Sequence, residues 1–382
     1  MSHYQFKTVT EMLDNFYGTS HDVTKADAPV ITTTTGVLNK VFGAMAFNQL
    51  NMEGNVFALL PKYPWQHSGF RVITADAGSS ADGGLAESAT VPDTIKPNFA
   101  EISLTVKQIS HTFQVSMIQN GLVKKTGDDA IGDMEFLRGY FAVKHSKAIN
   151  QQLCIDTDTL ASAGNTLESL DRVTSSSAGS VACGNTAADE DIYGIDRSGT
   201  GSWADAQMSH NSGTDRYLSL DLISALMATL ETAGAKTNLI LTGNDTKWRI
   251  FNLAEASVRY QGVVEQNVMM SIGVNGVSTE EGQNYGVRVA TVYGIPLFTS
   301  QAVQQDTISR IYLLDTTLQE DTGIPRLGIA LLYPTLYYES GLNSKDSNPF
   351  AIDFFGDKAG YYTAGELVCT FFAAQGQVRD LK

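Results

Sequence analysis

The chain has 382 residues, 43% of them hydrophobic, and a formal net charge of −15 from 41 acidic and 26 basic side chains. That length leaves room for about two or three domains and a sizeable core. The acidity, with no basic cluster longer than Lys124-Lys125, argues against a dedicated nucleic-acid-binding domain, which needs concentrated Lys and Arg.

No run reaches the ~18 apolar residues of a transmembrane helix. The opening MSHYQFKTVTEMLDNFYG lacks the basic-then-apolar layout of a secretory signal, so a soluble protein made in a cytoplasm is expected. Cys154, Cys183 and Cys369 are far apart and read as reduced thiols, neither a disulfide framework nor a zinc knuckle.

Residues 1–65 read as an arm with little core of its own. Thr8 to Tyr17 forms a short helix in this reading. Val37, Val41, Ala44, Met45 and Leu50 then recur at roughly helical spacing until Pro61 and Pro64 close the segment. Phe70 to Thr74 is a short strand leading into the small, flexible residues DAGSSADGGLAESATVPD, and the chain returns along Phe99 to Met117. Two strands joined by a Gly/Ser-rich tip make a long hairpin. An isolated two-stranded ribbon is at best marginally stable in water, so this one is expected to rest on a neighbouring molecule.

The return strand alternates strictly, with Ile102, Leu104 and Val106 on one face and Glu101, Ser103, Thr105 and Lys107 on the other; the pattern resumes through Phe113, Val115 and Met117. If unbroken it would span about 60 Å at about 3.3 Å per residue. It then runs into a helix expected over Asp128 to Ile155, with Asp128 as N-cap and a stripe of Ile131, Met134, Leu137, Phe141, Ala148 and Gln152 widened by Ile149 and Leu153. Gly132 and Gly139 inside that helix each cost ~1 kcal/mol relative to Ala. They are either simply tolerated or mark a face where another backbone crosses closely.

Thr157 to Arg216 is rich in Ser, Thr, Gly, Ala, Asn and Asp and lacks apolar periodicity; it reads as a surface insertion. Order returns with a helix over Leu218 to Thr232 closed by Gly234, a strand Asn238 to Leu241, a helix Asp245 to Ala256, and strands Gly286 to Tyr293, Ile295 to Thr299 and Arg310 to Leu314. The tail is β-rich, at Leu327 to Leu332, Leu336 to Tyr338, Phe350 to Phe355 and Tyr361 to Phe372, and its many aromatics are expected to be buried against the long helix. The fold class is α+β.

No HExxH, Walker A, GxGxxG or GxSxG pattern occurs. Asp156-Thr157-Asp158 lacks the later ligands of a calcium loop, and Asp189-Glu190-Asp191 is followed by Tyr193 where an oxygen ligand belongs. Ser20, His21 and Asp22 are adjacent but lie in a polar arm, unlike a triad assembled in space. His3, His67, His111, His145 and His210 show no metal-ligand spacing, and His111 and His145 read as hydrogen-bonded structural residues. Catalytic, cofactor and metal residues are therefore expected to be absent.

The order of parts resembles the major capsid proteins of tailed double-stranded DNA viruses, the Hong Kong 97 fold. The resemblance is carried by FAEISLTVKQISHTFQVSMIQNGLVKKTGDDAIGDMEFLRGYFAVKHSKAINQQL, with Val115-Ser116 before the spine helix, and by the helix, NLILTG strand and DTKWRIFNLAEA helix that precede Gly294-Ile295-Pro296. It implies an N-terminal arm at 1–65, an extended loop at 66–110, a peripheral domain at 111–158 and 331–382, and an axial domain at 159–330 with the polar insertion at about 159–216. It also implies pentamers and hexamers of an icosahedral virion shell enclosing double-stranded DNA without sequence-specific binding. Assembly would take place in a host cytoplasm with scaffold, portal and decoration proteins as further partners, and with no membrane and no cofactor.

Inter-subunit contacts are expected at Phe70, Val72, Gly78, Gly83, Gly84, Leu85, Glu87, Ile102, Leu104 and Val106, and a spine crossing at Gly132 and Gly139. The insertion would serve as an exposed or decoration-binding surface, or as a passive loop. Some relatives weld their shells through a Lys of the extended loop, but the tip from Asp76 to Thr94 has no Lys, so no isopeptide crosslink is expected. The chain begins directly with the arm, so the scaffold is expected to be separate or absent. The alternatives are an encapsulin-like compartment shell of the same fold and, from a different class, a secreted β-rich hydrolase.

Overall fold

The computed structural model describes residues 30–31, 55–77, 86–90, 95–119, 121, 134–158, 164–185, 191–199, 201–257, 266–268, 287–319, 322–341 and 356–382. The expected arm helix, the apolar stretch around Val41, the Asp128 cap, Ser20-His21-Asp22 and the strand Phe350 to Phe355 lie outside these residues.

In chain order the elements are β1 (Val30–Ile31), α1 (Asn55–Leu59), β2 (Lys62–Pro64), β3 (Gly69–Ala77), β4 (Lys96–Ser103), β5 (Lys107–Ser116) and α2 (Met134–Leu153). Next come α3 (Leu170–Val173), α4 (Ser177–Ala182), β6 (Gln207–Ser209), α5 (Leu220–Thr232), β7 (Leu239–Thr242) and α6 (Asn244–Ser257). The chain closes with β8 (Gln266–Val268), β9 (Val287–Val292), β10 (Ile295–Thr299), β11 (Ile311–Leu314), β12 (Leu327–Gly341), β13 (Gly356–Cys369) and β14 (Gly376–Val378).

The chain forms two compact units, one of Met1–Met52, Ile109–Ala148 and Thr335–Thr363, the other of Glu53–Gln108, Ile149–Pro334 and Ala364–Lys382. The first unit has a core of Phe113, Val115, Met134, Leu137 and Ala359, with Phe141, Tyr337 and Tyr361 packed against it. Phe113 stacks on Phe141 at 4.8 Å between centroids, the Tyr361 hydroxyl donates to the Arg138 carbonyl at 3.0 Å, and the Arg138 guanidinium lies over the Tyr337 ring. The expected union of tail aromatics with the long helix is therefore present at Tyr337 and Tyr361. Tyr333 and Tyr338, by contrast, are exposed.

The second unit is built on a seven-stranded sheet in the order β6-β14-β11-β7-β10-β9-β8. Its centre, β7, is buried throughout, as a strand covered on both faces must be. Ile223, Leu226 and Leu230 of α5 and Ile250 of α6 join Ile240, Leu297, Ile311 and Val378 of the sheet in one core. Between β9 and β10 stand Tyr293 at φ 52 and Gly294 at φ +80. Two consecutive positive φ values make the tight turn whose twist suits a hairpin, which is why glycine precedes Ile295-Pro296.

Three expectations change. The strand from Phe99 to Met117 is not continuous, since β4 ends at Ser103, β5 begins at Lys107, and the two belong to different sheets; buried Leu104 pins the break. The C-terminal residues do not all belong with the long helix, because β14 pairs with β11 and β6 in the seven-stranded sheet. The described parts of segment 159–216 are not the exposed surface loop expected of them. Its described parts bury Leu167, Leu170, Val173, Ile192 and Ala204 together with Arg172 and Arg197. Its polar residues satisfy one another, with Ser169 Oγ capping α3, Arg172 paired to Glu168 at 2.8 Å, and Arg197 donating to the Ser175 carbonyl at 2.8 Å. A core closed by hydrogen bonds leaves no apolar period to read.

Candidate assembly surface

The hairpin is built by β3 and β4, paired antiparallel from Gly69↔Ser103 to Ala77↔Lys96 with a register shift between Ile73 and Ala75. At its base a Cβ on Gly69 would stand 2.5 Å from the Ile102 carbonyl oxygen, so only glycine allows the strands to close there. One face holds Phe70 opposite Ile102 and Val72 opposite Ala100; a cavity of about 340 Å³ beside the hairpin is lined by Phe70, Val72 and Ile73 of β3 together with Tyr63, Leu104 and Val368. The other face holds the salt bridge Arg71–Glu101 at 2.8 Å and the cross-strand pair Ile73–Phe99. Ile73 is 62% exposed and Phe99 is 61% exposed.

This geometry divides the residues expected to meet a neighbour. Ile102 and Leu104 are buried against their own chain, and Phe70, Val72 and Val106 are half-buried. Glu87 is exposed in a turn closed by Ala89 N to the Ala86 carbonyl at 3.0 Å. Gly78, Gly83, Gly84, Leu85 and Gly132 lie outside the described residues. Among the described residues of β3 and β4, the large apolar side chains left exposed are Ile73 and Phe99. Gly139 has no atom within 4 Å of a Cβ built on it. It stands on the solvent side of α2 between Phe136 and Val143, both largely exposed.

In the first unit, the buried ridge of α2 runs Met134, Leu137, His145 and, continuing into the second, Ile149 and Leu153. The ridge goes through His145 rather than Ala148 and Gln152, which are only half-buried, because steps of four residues hold one line on a helix. His145 is accommodated by two bonds, Nδ1 to His111 Nδ1 at 2.9 Å and Nε2 to Thr363 Oγ1 at 2.8 Å; Thr363 Oγ1 is in turn 2.9 Å from Thr335 Oγ1. Burial, and then the neighbouring His111, lower the His145 pKa to about 4. Burial, and then Lys144, lower that of His111. Both histidines are thus the bonded structural residues expected of them.

In the second unit, the residues that follow α2 are held by charge. Arg310 places Nη1 2.9 Å from Asp171 Oδ1, Nη2 2.8 Å from Asp158 Oδ2 and Nε 3.0 Å from Asp306 Oδ1. Arg379 Nη2 reaches the same Asp158 oxygen at 2.6 Å, and the Tyr312 hydroxyl donates to Asp171 at 3.1 Å. Burial alone would raise Asp158, but the bonds from Arg379 and the nearby Arg310 charge outweigh it and hold the carboxyl at about 2. The calcium-like Asp156-Thr157-Asp158 is therefore half of an ion-pair network whose cations are arginines.

Nearby, Glu366 is buried and accepts the backbone N–H groups of Glu168 at 2.7 Å and Leu367 at 3.0 Å. Burial outweighs these bonds and raises its pKa to about 8. All three cysteines are free thiols, as their spacing indicated, and burial pushes Cys154 and Cys369 up to about 12. No described helix is long and apolar enough to cross a membrane.

No protein family and no curated protein matches the sequence. Solved structures do match. The capsid of cyanophage A-1(L) superimposes with a TM-score of 0.59 at 18% identity, covering 92% of this chain and 99% of that one. The capsid of a native GTA particle gives a TM-score of 0.50 at 13% identity, over 89% of this chain and 93% of that one. The SrpI encapsulin complex of Synechococcus elongatus gives a TM-score of 0.50 at 11% identity, over 90% and 92%. Identities this low speak to architecture alone, and the architecture shared across nine-tenths of the chain, with its hairpin, long helix and mixed sheets, is the Hong Kong 97 fold.

Proposed function

We propose that this chain is a major capsid protein that assembles into pentamers and hexamers of an icosahedral shell around double-stranded DNA. The observation that carries the reading is the match to the cyanophage A-1(L) capsid over 92% of the chain and 99% of that one. The hairpin agrees with it, since a ribbon that leaves Ile73 and Phe99 open to solvent gains its stability by lying on another subunit. The open side of α2 around Gly139 is a second place for such a crossing. The mechanism is association rather than catalysis: many moderate interfaces repeated by symmetry, each too weak to hold alone. The net charge of −15 suits a wall that encloses DNA without binding it tightly. Assembly in a host cytoplasm, with scaffold, portal and decoration proteins as partners, belongs to the same reading.

The likeness to the SrpI encapsulin complex favours a second reading, a protein compartment. Expression of the chain with its genomic neighbours, followed by electron microscopy and nuclease treatment of purified particles, tests both. Icosahedral shells with nuclease-protected DNA are expected. Shells holding only protein cargo would favour the compartment, and a strictly monomeric chain would overturn both. Deleting residues 78–90 is expected to leave a folded, soluble subunit that forms no stable shell; normal particles from that deletion would remove the hairpin from the assembly mechanism.

A further inference from the structure

Cys183, His210 and Asp380 are far apart in the sequence and meet in the second unit. Cys183 is the C-cap of α4, His210 is the residue after β6, and Asp380 stands two residues beyond β14. Because β6 and β14 pair in parallel, with Ser209 opposite Val378, the last two are delivered to the same end of neighbouring strands. One donor atom from each, a thiol sulfur, a ring nitrogen and a carboxylate oxygen, lies within 4.8 Å of the other two. We propose that these three side chains bind a divalent transition metal of the zinc class, with water in the fourth position.

The geometry suits such an ion. Cys183 Sγ is 3.7 Å from Asp380 Oδ2. Around a tetrahedral zinc, with Zn–S of about 2.3 Å and Zn–O of about 2.0 Å, those two ligand atoms stand about 3.5 Å apart. The Ser212 amide donates to His210 Nδ1 at 3.2 Å, and a metal bound through Nδ1 would displace that bond and take its lone pair. A thiolate with an imidazole selects zinc or cobalt over magnesium or calcium.

The surroundings hold the donors in place. Asp380 Oδ2 accepts from the Asn211 amide at 2.7 Å and the Gly213 amide at 3.1 Å, while the Asp380 amide donates to Asp306 Oδ2 at 2.6 Å. Arg379 Nε lies 3.5 Å from Asp380 Oδ1, while Oδ2 takes the two amides and the thiol. Asp380 keeps a φ of 59 without being glycine, a conformation that persists only where surrounding bonds over-determine it. Outer bonds that orient a ligating carboxylate are characteristic of metal sites. The Cys183 thiol donates to Asp380 Oδ2; binding a metal as thiolate releases that proton.

The test uses the full chain as free subunits, so it is independent of shell formation. Chelator-treated protein titrated with Co²⁺ is expected to take up about one equivalent per chain and to show thiolate-to-cobalt charge-transfer absorption that Zn²⁺ abolishes. Cys183→Ser and, as a second variant, Cys183→Ala are expected to lose the band while melting like the parent in chelator. His210→Asn is expected to weaken uptake by about tenfold or more, the loss that even an outer partner produces. Cobalt uptake without a thiolate band, a band that survives in Cys183→Ala, or uptake indifferent to His210→Asn would each overturn the site and leave Asp380 as a hydrogen-bond hub only.

Discussion

Ile73 and Phe99 face each other across the hairpin, and both turn most of their surface to solvent. Covering such a pair on a neighbouring subunit contributes about 1.5–3 kcal/mol per side chain. The double variant Ile73→Ser, Phe99→Ser is therefore expected to fold and stay soluble but to fail in shell formation, read by size-exclusion chromatography and negative-stain microscopy. Parental yields of particles from that variant would count against the pair.

The Arg310 network predicts a different phenotype. Asp171→Asn leaves a buried guanidinium short of its most buried carboxylate and should cost about 3 kcal/mol or more. The loss is expected as a lower urea midpoint of the free subunit with an unchanged slope. A midpoint within a few tenths of a kcal/mol of the parent would show that Asp158 and Asp306 carry the arginine unaided.

Glu366 links stability to pH in the alkaline direction. Its pKa is raised from 4.5 to about 8, so the folded chain holds a proton that the unfolded chain releases. The stability this supplies is complete below pH 4.5 and is lost as pH rises through about 8. Glu366→Gln should flatten that fall. Denaturation midpoints of both proteins across the window check it, and parallel curves would refute it.

His145 has the opposite sign. Its pKa falls from 6.5 to about 4, so the unfolded chain binds the extra proton, and stability present above pH 6.5 is lost as pH falls through about 4. His145→Gln keeps a hydrogen-bonding side chain without a titrating one and should reduce the acid loss, followed by fluorescence of the first unit's aromatics in an acid titration.

The hairpin carries Lys96 at the start of β4, on the return arm, and no lysine between Asp76 and Thr94. Denaturing gels of mature particles are expected to show monomers without covalent ladders.

The sequence by itself determined the two-part plan of hairpin and long helix, the succession α5-β7-α6 and β9-β10-β11 in the second unit, the reduced cysteines and the bonded histidines. Those features are local: alternation over Glu101 to Lys107, turn residues such as Gly294, and a helical period from Met134 onward all write themselves into neighbouring positions. Tertiary structure alone decided the rest. The described parts of segment 159–216 hold a core closed by Arg172, Arg197 and their partners, and pairing between distant polar residues has no period. The break at Leu104 depends on which sheet each half joins. The exposed pair Ile73–Phe99 depends on the register in which β3 and β4 pair. Cys183, His210 and Asp380 become neighbours only because β6 and β14 run side by side, a pairing across more than 160 residues that no spacing rule encodes.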